Sequence, residues 1–209
     1  MNVHSHRNSN YRCGKESPVK EEFPDKKAAA LQAALELISE QGFHGAPMSQ
    51  IADRAGIGVG TIYRYFAGKE DLINALYIEI KTRLTRYVLR NLPDGLPVRD
   101  ALRQALAALV RYCLEHPAEL SFAEQYENSP LITEATREES LRIAEPLNRL
   151  FGRAAEQEIL KEMPFEMLAA LIYGATISLV KLYRSGAVRF DDASLSAGLD
   201  AIRDMIERR

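Results

Sequence analysis

Residues 49–72 read SQIADRAGIGVGTIYRYFAGKEDL, and the spacing of small and apolar residues in this stretch decides the fold. Two short helices that cross steeply need small residues where they touch, and Ala52 and Ala55 supply them. They need a turn residue that tolerates positive φ, which Gly56 provides. They also need apolar plugs on their inward faces, here Ile51, Ile57 and Ile62. Each feature is common alone, but the ordered set within fifteen residues specifies a helix-turn-helix.

The second short helix then turns outward a face suited to a phosphate-lined duplex. Thr61 and Tyr65 offer hydroxyls, Arg64 offers a guanidinium fork, and Gly60 lets backbone approach closely. Lys69 stands just before another helix start, where free N–H groups and the dipole favour an anion. Phe66 reads as core, while Tyr63 is expected to pack its ring inward with its hydroxyl reaching out. Arg54, Lys26 and Lys27 read as rim charges.

Outward from this stretch the chain reads as helix throughout. A first helix over 26–40 is expected, with Asp25 as cap, Leu31, Ala34, Leu35 and Ile38 on one face, and Gly42 as stop. Helices at 48–55, 59–65, 70–90, 98–115, 118–127, 131–161 (with a kink or restart at Pro146), 164–185 and 191–207 complete the pattern. No segment alternates with period two over enough residues to claim a strand. Residues 1–22 are polar and aperiodic, an expected disordered arm whose His4 and His6 read as solvated.

The 209 residues carry a net charge of −2, so bulk electrostatics announces no partner. Residues 1–69 nevertheless hold nine Lys/Arg against seven Asp/Glu, and the remainder 18 against 22, a weak basic bias at one end. Cys13 and Cys113 have no metal-like spacing and read as reduced thiols of a cytoplasmic protein. No signal peptide is visible, and the apolar run 167–180 reads as too short to span a membrane. No nucleophile–base pair, phosphate-cradling glycine loop or zinc spacing appears, so an enzyme is not expected and no cofactor is called for.

The segment IADRAGIGVGTIYRYFAGKEDLINALY resembles the TetR family of bacterial transcriptional regulators, with the match running from about Asp25 to Tyr77. The resemblance implies an all-α chain: a DNA-binding domain over 23–69 and a larger dimerisation and ligand-binding domain over 70–209. It implies that VGTIYRYF is the recognition helix. Thr61, Tyr63 and Tyr65 match positions that touch the DNA backbone, Arg64 and Val59 match variable positions that face bases, and Ser49 and Lys69 match recurrent contacts. Pro47 departs from the family's Thr or Ser cap, so that hydroxyl contact is absent or passes to Ser49.

The helix at 164–185 is apolar nearly all round and, with the amphipathic one at 191–207, forms a natural hairpin. Two such hairpins make a four-helix dimer interface, and a symmetric homodimer suits a near-palindromic double-stranded operator. Tyr87, Tyr112, Phe122, Tyr126, Phe151 and Tyr173 are candidate pocket residues for an unknown small-molecule ligand. The expected activity is repression relieved by that ligand through linkage. Control by a protein partner, DNA binding without any ligand, and activation stay open as alternatives.

Overall fold

The computed structural model describes residues 26–127, 129–186 and 191–208, so the arm 1–22 with His4, His6 and Cys13, and the expected cap Asp25, lie outside the described residues. Among the described residues the helices are α1 (Lys26–Gln41), α2 (Met48–Arg54), α3 (Val59–Tyr65), α4 (Lys69–Arg90), α5 (Val98–Glu115), α6 (Pro117–Tyr126), α7 (Glu134–Glu156), α8 (Phe165–Arg184) and α9 (Asp192–Ile206). The only β pairing among them is an isolated bridge between Leu160 and Glu207. The protein is all-α, as its patterning requires.

The turns form where the glycines predict. Gly42 adopts φ +72° and its N–H bonds the Ile38 carbonyl at 2.8 Å, closing α1. At the end of α2, Gly56 adopts φ +67°. The Gly56 N–H bonds the Asp53 carbonyl at 3.1 Å and the Ile57 N–H bonds that of Ala52 at 3.0 Å. That pair of bonds is a Schellman stop, which satisfies carbonyls that the helix end would otherwise orphan.

α7 departs most from expectation, running over Glu134–Glu156 instead of 131–161. Thr133 sets its start, the side chain accepting the Thr136 N–H at 3.2 Å. Pro146 lies inside the helix without a restart. The carbonyl that Pro146 leaves without an amide belongs to Arg142, which like Leu141 is exposed, so water can serve it.

Two large apolar cores result, beside a small third cluster of Cys113, Leu120, Ile177 and Val180. In the first, Ile51, Ala52, Ile62, Phe66 and Leu72 are buried with the inward face of α1, and α6 adds Phe122 and Tyr126. The second gathers Leu102, Leu106, Leu150, Ala154, Ile172, Ile202 and Ile206 from α5, α7, α8 and α9. The first core continues through α4 to Ile80, so a division at residue 69 cuts through packed side chains.

α4 is also tied sideways by polar groups. The buried Asn74 amide donates to the carbonyls of Glu70 and Leu131, both at 2.8 Å, and accepts the Thr133 N–H at 3.0 Å. One turn on, Glu127 accepts from the Tyr77 hydroxyl at 3.2 Å and pairs with Lys81 at 2.8 Å. Asn74→Ala would orphan the Thr133 N–H and the Leu131 carbonyl, and is expected to cost about 2–3 kcal/mol of stability. Chemical unfolding checks this; a loss under about 0.5 kcal/mol would mean that water replaces the amide at no net cost.

Candidate nucleic-acid interface

α3 is anchored from below by Ile62, fully buried, and by Phe66 just past its end. That anchoring fixes which side chains remain outside. Val59, Gly60, Tyr63 and Arg64 are exposed, and their spacing (i, i+1, i+4, i+5) places them on one stripe of the helix. Ser49, in the first turn of α2, is exposed as well. Thr61 and Tyr65 are half-buried at the edge of the stripe.

The two tyrosines exchange the roles expected of them. Tyr63 is 52% exposed, so its ring does not pack inward. Tyr65 packs its ring against the first core, 6.4 Å from the Phe66 ring, and offers its hydroxyl at the surface. Arg64 reaches that hydroxyl at 3.4 Å, its guanidinium 5.2 Å from the Tyr65 ring centre. The arginine is thus held over its neighbour's face and remains exposed.

Gly60 carries a different signal. A Cβ built there meets no atom within 4 Å, and its φ is not positive. Neither packing nor turn geometry within the chain asks for glycine at this position. A flat patch beside Arg64 and Tyr63 does suit a close partner.

The other cations are partly spoken for. Lys69, the first residue of α4, donates to the Phe43 carbonyl and lies 4.3 Å from the Phe43 ring centre, and burial lowers its pKa. Arg54 forks onto Glu40 with two bonds of 3.0 Å and sits 3.5 Å from Glu36, pinning α2 to α1. The hydrogen bond from Arg54 holds the Glu40 carboxyl below its ordinary value. Its weak claim as a rim contact therefore gives way to a structural role. Pro47 caps α2 at φ −68° with no side-chain bond, as its lack of a hydroxyl requires. Asp71, which sequence reading missed, accepts the Ala67 N–H at 2.8 Å and fixes the turn between α3 and α4.

The six candidate pocket aromatics do not share one cavity. Phe122 and Tyr126 stack at 4.6 Å within the first core, because the face of α6 that carries them lies against α1 and Phe43, while Leu120 on another face meets α8. Phe151 packs edge-on to Phe165 at 6.1 Å, and Tyr173 sits beside Cys113, Ile177 and Val180. Only Tyr87 and Tyr112 line a large concavity, an open groove of about 1270 Å³ between α1 and α4–α6. Cys113 is buried, and burial pushes its thiol up to about 12, which keeps it neutral and unreactive.

Two short helices joined by a glycine turn, the second with an exposed stripe, and a larger helical domain are the arrangement of a helix-turn-helix transcriptional regulator. Residues 30–76 match the family described as bacterial regulatory proteins, tetR family, and residues 97–206 match the tetracyclin repressor-like C-terminal domain. The chain belongs to the TetR family of transcriptional regulators.

Among its relatives, the HTH-type transcriptional regulator BetI of Klebsiella pneumoniae (strain 342) is 31% identical over 162 residues, covering 72% of this chain and 80% of that protein. The fatty acid metabolism regulator protein of Bacillus subtilis (strain 168) is 32% identical over 80 residues, covering 38% of this chain and only 39% of that protein. The crystal structure of a TetR family transcription regulator from Marinobacter aquaeolei VT8 superposes with a TM-score of 0.81 over 88% of this chain and 96% of that one. At 23% identity that likeness speaks for the fold.

Proposed function

We propose that this chain is a homodimeric repressor that occupies a near-palindromic operator in the cytoplasm and leaves it when a small molecule binds. The observation that carries the DNA reading is the exposed stripe of Val59, Gly60, Tyr63 and Arg64 on a helix otherwise anchored in the core. Arg64 is assigned to a base or phosphate, and Tyr63, Thr61, Tyr65 and Ser49 to the backbone. Lys69 can join them with the N–H donors that the Phe43 carbonyl leaves unused. The domain division runs through α4: a DNA-reading unit through its first turns and a regulatory unit beyond, which contributes Phe122 and Tyr126 of α6 to the first core.

Support for the dimer comes from α8. The most apolar 18-residue window of this 20-residue helix has a mean hydropathy of 1.5, yet only 22% of that window is buried. By length and composition the whole helix could cross a bilayer, which corrects the shorter estimate from the run 167–180 alone. Gly198 of α9 lies against Leu179, so α8 and α9 form the expected hairpin. The remaining exposed stripe of Met167, Ala170, Gly174, Ser178 and Leu182 fits a second copy, with small residues at its centre for close approach.

The experiment is binding of the full chain to its own upstream region and to random duplex at several salt concentrations, with Arg64→Ala alongside. Selective binding with a steep salt slope is expected, and Arg64→Ala should cost about 1–3 kcal/mol on the selected duplex. A loss equal on both duplexes would assign Arg64 to phosphate. Absence of binding even at low salt would sink the proposal.

A further inference from the structure

The groove between α1 and α4–α6 has a floor of contacting rings and, at its α4 end, two arginines without ion-pair partners among the described residues. Tyr87 and Tyr112 meet edge-on at 5.2 Å, and the His116 ring lies 4.3 Å from Tyr112. The acidic groups of the lining are each engaged. Glu36 pairs with Arg54 at 3.5 Å, and Glu79 and buried Glu119 pair with Arg83 at 3.6 and 3.1 Å. Glu119 also accepts the Tyr112 hydroxyl, and Glu115 accepts that of Tyr87 at 3.1 Å. Arg86 and Arg90 also line the groove, one turn apart on α4; both are exposed, and neither has an acidic partner among the described residues. The Nε of Arg83 is buried without a hydrogen-bond acceptor.

We propose that this groove binds an anionic small molecule with a flat apolar body, a carboxylate or a phosphate ester. Arg86 and Arg90 take the anion, and the Tyr87–Tyr112–His116 ladder takes the body. Guanidinium groups match both anions by paired N–H donation, and the rings supply apolar area that holds little water. Glu115 keeps its charge while accepting the Tyr87 hydroxyl, so the four arginines of the lining face four carboxylates, and what sets the α4 end apart is that Arg86 and Arg90 carry no ion pair among the described residues.

The position suggests what binding does. One wall is α1, which carries the helix-turn-helix through the Arg54–Glu40 fork, and the others are helices of the regulatory half. A molecule held by Arg86 and Arg90 whose body also reaches the α1 lining at Gln32 and Glu36 binds according to the spacing of the two walls, so it biases that spacing in return. This regulatory step rests on the DNA-binding reading above; the binding step does not.

The test titrates the full chain with 1-naphthoate and, separately, 1-naphthyl phosphate, against neutral 1-naphthylmethanol, following ligand fluorescence. Wild type, Arg86→Gln/Arg90→Gln and Met167→Ser are compared, with circular dichroism to establish folding. At least one anion should bind saturably and at least tenfold tighter than the neutral compound. The double variant should lose that margin while keeping its helix content, and Met167→Ser should keep it. The stronger anion identifies the carboxylate or the phosphate source. No saturable anion binding, equal binding of the neutral compound, or an unaffected folded double variant overturns the site. Loss in Met167→Ser instead would place the probe on the α8 face and overturn it too. Saturable binding with unchanged operator affinity keeps the site and removes its regulatory role. If wild type binds no DNA at all, the functional reading falls while the titration still decides the site.

Discussion

The Gly174→Arg chain is expected to sediment as a monomer and to bind its operator on the order of 100-fold more weakly than the unaltered chain. The position is chosen because the monomer has no stake in it: a Cβ at Gly174 meets nothing within 4 Å, and the residue is exposed. Glycine inside a helix costs roughly 0.5–1 kcal/mol relative to alanine, so the substitution should not unfold α8. A partner helix lying over Met167, Ala170, Gly174, Ser178 and Leu182 would instead meet a long charged side chain at the point of closest approach. Burying that charge unpaired is prohibitive, so the interface opens. Each recognition helix then reads its half-site alone and loses the gain from linked binding. Sedimentation and operator titration on the same samples check both halves. A variant that remains dimeric would move the interface off this stripe. A wild type that is already monomeric would remove it.

Much of the fold is legible because its signals are local. Gly42 and Gly56 stop helices by adopting φ values that other residues resist, and that property travels with the residue type. Ile51, Ile62 and Phe66 recur at helical spacing and are all buried. What escapes the sequence depends on which helix meets which. Phe122 and Tyr126 stand in the sequence as candidate pocket residues, although an aromatic at helical spacing is more often core, and the docking of α6 against α1 places them in the core. Asn74 gives no sign in the sequence of its buried bonds, which form only when the 129–133 connection folds over it. Glu119 looks like surface charge, yet is buried between Arg83 and Tyr112. The exchange between Tyr63 and Tyr65 has the same origin. In a seven-residue helix, a small rotation decides which ring is covered, and periodicity alone does not fix that angle.

Gly60→Ala should separate stability from recognition more cleanly than any other change on α3. Since the added methyl meets no atom of the chain within 4 Å and the backbone is not left-handed, alanine fits without adjustment. Helix propensity favours it, so stability should hold or rise by up to about 1 kcal/mol. If Gly60 is there to let a duplex approach, the same methyl stands between the helix and the phosphates. Operator affinity should then fall about tenfold, roughly 1.4 kcal/mol, and Gly60→Leu should lower it further while leaving the fold intact. Few substitutions push these two quantities in opposite directions, because a residue that matters to packing loses both together. Thermal unfolding and operator titration of the alanine and leucine chains give the answer. Parallel loss of stability would mean that α3 packs differently around Gly60. Unchanged affinity in both would place the DNA-facing surface elsewhere, toward Thr61 on α3 and Ser49 on α2.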